Sequence, residues 1–125
     1  MRPTINWFEI PVTDMSRAIG FYQTLTGKTF TPETFGPPGE EMAVLPADEK
    51  EAVTGCLQLS PSSKPSQEGS LLYLNANPGI DAWIARAKKA GGKILTPKTA
   101  LPPGMGFFAI FLDSEGNRLG LYALS

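Results

Sequence analysis

The chain has no histidine and a single cysteine among its 125 residues. Without imidazole it cannot build a Ser-His or Cys-His nucleophile, an imidazole base or a His-ligated metal. Cys56 has no partner for an internal disulfide, so a reducing compartment is expected. Charge is also scarce, at 18% of residues, and balanced, with 11 Lys and Arg against 12 Asp and Glu and a formal net charge of −1. Such a surface has no basic field to neutralise phosphates, and nucleic acid is not expected as a partner. No apolar run approaches the roughly 20 residues that cross a bilayer, and the Met-Arg-Pro-Thr-Ile-Asn start lacks the apolar core of a signal peptide. A cytoplasmic location without a membrane partner is the expectation. The Gly-rich strings have no phosphate-binding spacing.

What is present is a globular balance, with 42% hydrophobic residues. The length suits one domain, or two small modules sharing a core. Residues 5–12 are β-branched and aromatic, and Pro11 places that strand at an edge or marks its end. Asp14 then reads as a helix N-cap, followed by Met15, Ala18, Ile19, Tyr22 and Leu25 on one stripe, with Gly27 as the stop. Residues 28–33, 41–45 and 55–60 read as strands. Residues 61–69 are polar and Pro/Ser-rich, a linker.

The pattern then restarts. Residues 71–76 read as a strand, and Asn77-Pro78-Gly79 as the turn into a second helix. Ile80, Trp83, Ile84 and Ala87 repeat the stripe, and Gly91-Gly92 ends it. Residues 93–97, 107–112 and 118–124 complete the strands, with Asp113-Ser114-Glu115-Gly116-Asn117 as a hairpin turn. Met15 and Ile80, Ile19 and Ile84, and Gly27 and Gly92 all stand 65 residues apart. Residues 27–32 (GKTFTP) likewise recur as residues 92–97 (GKILTP). The repeat predicts an α+β fold of two βαβββ modules, residues 1–60 and 70–125. Their mixed sheets form a cup or half-barrel, with the helices outside.

These landmarks resemble the vicinal oxygen chelate superfamily: the glyoxalases, bleomycin resistance proteins and extradiol dioxygenases. The resemblance rests on Val12-Thr13-Asp14 with Arg17-Ala18 and Phe21-Tyr22, then on Tyr73-Leu74-Asn75, Gly91-Gly92-Lys93 and the closing run from Asp113 to Leu121. That run is similar to the family's D-P-x-G-N-x-x-x-L. The variant pattern is similar to uncharacterised proteins related to lactoylglutathione lyase. The resemblance implies a homodimer and, in metal-using members, four ligands on the inner strand faces. These fall on Trp7, Gln58, Leu71 (or Ser70) and Gly120. Only Gln58 offers an oxygen, whereas divalent sites need three or four N, O or S donors. No metal cofactor is expected, the seats being lost at Trp7, Leu71 and Gly120.

Strand alternation places Trp7 and Glu9 toward the cup, and Tyr73 and Asn75 with them. Candidate ligand-binding residues are Trp7, Glu9, Gln58, Tyr73, Asn75, Phe107, Arg118 and Tyr122. Glu9 needs a partner, either Arg118 or a ligand. Cys56 reads as a small core residue. Residues 36–41 and 101–106, Gly/Pro-rich and at corresponding places, are either lids over the cup or plain turns. The functional expectation is a metal-free small-molecule binding protein. The alternative is a lyase or isomerase using Glu9 as base, with Gln58 or Asn75 holding an oxyanion. A scaffold that only dimerises is the third.

Overall fold

The structure is a computed structural model describing residues 3–34, 38–47, 49 and 52–125. Among the described residues nine elements follow in order: β1 (Trp7–Pro11), α1 (Met15–Thr26), β2 (Glu41–Val44), β3 (Thr54–Leu59), β4 (Tyr73–Asn75), α2 (Ile80–Lys89), β5 (Lys93–Ala100), β6 (Phe107–Leu112) and β7 (Arg118–Ala123). The first sheet has the order β1-β3-β2 and the second β4-β7-β6-β5. Each opens with a parallel pair, β1 on β3 and β4 on β7, and continues antiparallel. The result is an α+β fold with two mixed sheets, neither of them closed.

Local chemistry sets the helix ends. The Asp14 carboxylate accepts the Arg17 amide at 3.0 Å, the N-cap bond. Gly27 ends α1 at φ 74°, a left-handed conformation that costs other residues a Cβ clash. Gly79 caps α2 without a side-chain bond, and Arg86, Lys88 and Lys89 crowd its last turn, where the helix dipole favours cations. Both helices bury their stripes in one core with Ile10, Leu57, Phe111 and Leu121. The Phe21 and Phe111 rings stack at 6.1 Å and join α1 to the second sheet.

The expected strand over residues 28–33 is reduced to one bridge, Glu33 to Met42. Pro32 has no N–H to donate, so the ladder cannot propagate through it. Its counterpart Pro97 lies within β5, where the ladder slips between Thr96 and Thr99 instead of ending. The two modules therefore differ by one strand. The stretch over residues 61–69 is not a free tether: Arg118 N–H donates to Ser66 O and Ser66 N–H to Asn117 Oδ1, which fastens it along β7.

Candidate functional site

The site lies on the sheet faces turned away from the helices. In β1, Ile10 is buried in the core while Trp7 and Glu9 are exposed on the opposite face. Glu9 stands beside Cys56 in the ladder and Pro11 beside Gln58. The Cys56 thiol is pushed up to about 11 by burial and by the nearby Glu9 carboxylate, partly offset by a hydrogen bond with Trp7. Gln58 is only 8% exposed, and its amide is occupied. Its Oε1 accepts the Cys56 thiol at 3.7 Å, and its Nε2 donates to Glu40 at 3.4 Å.

In the second module, Tyr73 and Asn75 stand exposed beside Gly120 and Tyr122 of β7. Tyr122 in turn faces Phe108 of β6. The Tyr73 and Phe108 rings meet edge to face at 6.4 Å, an arrangement aromatic pairs favour. These residues, with Leu101 and Asn77, line an open hollow of about 810 Å³. The Asn75 Oδ1 accepts both the backbone and side-chain N–H groups of Asn77. Its own amide nitrogen makes no bond among the described residues. The Tyr122 hydroxyl donates to Met105 O at 2.7 Å, so only its ring is free to meet a ligand. The same bond straps down the turn over residues 101–106, closed further by Leu101 N–H to Gly106 O. It is a fixed rim. Of the matching run over residues 36–41, Gly36 and Pro37 lie outside the described residues.

Phe107 is a correction. It was expected in the cup, but it packs on the core side, beneath the Lys98 ammonium at 4.5 Å. Phe108 takes its place beside Tyr122. The missed signal is strand parity: counting back across the hairpin from Tyr122 arrives at Phe108. Glu9 and Arg118 do share a small cavity, yet no ion pair joins them among the described residues. Trp7, Glu9 and Gln58 thus stay with the first sheet, Tyr73, Asn75 and Tyr122 form one group on the second, and Arg118 sits where the two approach.

The matching family model is the Glyoxalase/Bleomycin resistance protein/Dioxygenase superfamily, over residues 4–121. This chain belongs to that superfamily. A glyoxylase-like domain-containing protein of Didymella fabae is 33% identical over 118 residues, covering 90% of this chain and 88% of that one. A mutant of glyoxalase I from Zea mays superposes with TM-score 0.70 at 23% identity, over 95% of this chain. The chain spans just under half of that enzyme, 45% of its length. TnmS3, an antibiotic binding protein from Streptomyces sp. CB03234, superposes with TM-score 0.66 at 26% identity, covering 98% of this chain and 97% of that one.

The glyoxalase and dioxygenase relatives raise the question of a divalent metal. The four positions carry an indole at Trp7, an engaged amide at Gln58, an alkyl chain at Leu71 and no side chain at Gly120. The space a side chain would take at Gly120 is covered by the Tyr73 ring, whose Cε2 lies 2.5 Å from where a Cβ would sit. Among the described residues, no group of three or more His, Cys, Asp or Glu is placed to hold an ion. This donor set does not fit a divalent metal.

Proposed function

We propose that this chain binds a small, flat, partly aromatic molecule on the open face of its second sheet, without a divalent metal. One observation carries the reading: Tyr73, Phe108 and Tyr122 present three rings to one open hollow. Rings supply large contact area at little entropic cost, and the free amide of Asn75 adds a directional donor. The likeness to TnmS3, whole length on whole length, supports binding over turnover.

Titration calorimetry of the full chain against flat aromatic compounds, before and after EDTA treatment, tests this. Saturable binding that EDTA leaves intact, and that Tyr73→Ala weakens about tenfold, is the expected result; a ring contact supplies on the order of 0.5–1.5 kcal/mol. Absence of any saturable binder overturns the proposal. Loss of binding with EDTA overturns its metal-free part.

A second reading, a lyase or isomerase, has one feature in its favour. The Glu9 carboxylate is exposed on the inner face of β1 and makes no hydrogen bond among the described residues, so a substrate can reach it. Turnover of methylglyoxal hemithioacetal that Glu9→Gln abolishes would establish this reading. Turnover unchanged by that substitution removes Glu9 from it.

A further inference from the structure

We infer that a second pocket, where Arg118 meets the stretch over residues 61–69, takes a compact zwitterion: a molecule carrying a carboxylate and an ammonium a few bonds apart. Its lining includes Glu9, Lys64, Ser66, Glu68, Ser70 and Arg118, around about 200 Å³. That is room for on the order of six waters, and so for a ligand of amino-acid size. The pocket shares no lining residue with the aromatic hollow, so the inference does not rest on the reading above.

Two observations point to a charged ligand. First, the Arg118 Nε is buried, with no hydrogen-bond partner. Buried guanidinium donors are rarely left so, and such an orphan calls for an explanation. Second, the pocket brings together two cations, Lys64 and Arg118, and two anions, Glu9 and Glu68. The ion pairs among the described residues, Arg17 with Glu115 and Lys98 with Asp81, involve none of them. Glu9, Lys64 and Glu68 are exposed, so these unpaired charges are open to a ligand that carries both signs.

The balance of charge selects the ligand. A phosphate would meet Glu9 and Glu68 as well as the cations, and like charge excludes it. A carboxylate suits the planar fork of Arg118, which can hold both its oxygens. An ammonium on the same molecule satisfies Glu9 or Glu68, and the Ser70 hydroxyl can donate to the carboxylate or accept from the ammonium, while the Ser66 hydroxyl is held by the Glu68 backbone. The backbone beneath is fixed, because Ser66 is bonded to Asn117 and Arg118 through its own N–H and C=O.

The test is an amide NMR titration of the full chain with glycine and alanine as zwitterions, acetate and methylammonium as the separate halves, and inorganic phosphate. Saturable shifts centred on Ser66, Asn117 and Arg118 with the amino acids, at least tenfold tighter than with either half, are expected. Arg118→Gln and Glu9→Gln should each weaken that binding tenfold or more, while Tyr73→Ala leaves it unchanged. Because Arg118→Gln could disturb the fold, Lys64→Gln, on an exposed side chain, serves as the second variant and should weaken binding severalfold. No shift with the amino acids overturns the inference. So does phosphate binding as tightly as glycine, or binding indifferent to all three charge substitutions.

Discussion

Arg17 Nε lies 2.6 Å from Glu115 Oε2, and that contact ties the first helix to the last hairpin. The other Glu115 oxygen accepts the Thr13 and Asp14 amides, both at 2.9 Å, at the N-terminus of α1. The residue joining the modules therefore also satisfies helix donors that would otherwise have no partner. Burial alone would raise the Glu115 pKa. The Arg17 bond and the Thr13, Asp14 and Ser114 donors outweigh it and hold the carboxylate down at about 2. Glu115→Gln should cost about 1–3 kcal/mol, the range for leaving charge-assisted donors poorly met, and Arg17→Gln less, since its side chain is half-exposed. Urea denaturation of the two variants checks the order.

The same carboxylate predicts how stability follows pH. Its folded pKa lies below the ordinary 4.5, so its contribution is present above that value and lost as pH falls toward about 2. Urea midpoints measured from pH 6 down to pH 2.5 should decline for the wild type. The decline should be visibly shallower in Glu115→Gln, which has no such group to protonate. Parallel curves for the two proteins would refute the assignment.

Two glycines in equivalent kinds of place should respond differently to the same methyl group. At Gly55 a Cβ would run into the backbone carbonyl of Phe8 and come within 2.6 Å of its ring, and the carbonyl cannot move without disturbing the β1–β3 ladder. At Gly120 the obstacle is the Tyr73 ring, which is 49% exposed and can swing away. Gly55→Ala should therefore cost about 2 kcal/mol or more, and Gly120→Ala well under half of that. Gly120→Ala should instead weaken any aromatic ligand, because it displaces Tyr73 from the hollow. Thermal melts together with calorimetry separate the two effects.

Repetition made the fold readable. Helical stripes, caps and the shared spacing are local signals, and they placed both helices and the strands other than the one expected over residues 28–33. The site was harder because it depends on register between strands distant in sequence. Across the strands the offset between modules is 64, Glu9 with Cys56 answering to Tyr73 with Gly120, whereas along the helices it is 65. A one-residue slip of that kind turns a side chain to the opposite face, which is the difference between Phe107 on the core side and Phe108 in the hollow. In the closing motif, the Asp113 carboxylate accepts the buried Tyr22 hydroxyl at 2.6 Å and two backbone amides of its own turn. That role is structural, and nothing in the spacing of the motif distinguishes it from a functional one. The charges of residues 61–69 gave no pattern at all, since they matter only where the stretch folds back along β7.

Cys56 provides the last prediction. Its side chain is buried, and its thiol is held up at about 11 by burial and by the carboxylate of Glu9. The thiolate is the reactive form, so at pH 8 the folded protein should present almost none of it. Labelling with a thiol-specific disulfide reagent should be slow in buffer, on the timescale of opening of β1 from β3, and complete within seconds in denaturant. Because labelling waits on that opening, Glu9→Gln, which removes the neighbouring negative charge without opening the sheet, should leave both the labelling rate and the urea midpoint nearly unchanged. If the thiol of the folded wild type instead reacted as fast as a free cysteine, the β1–β3 register that places Glu9 beside Cys56 would be wrong, and the inner face of the first module with it.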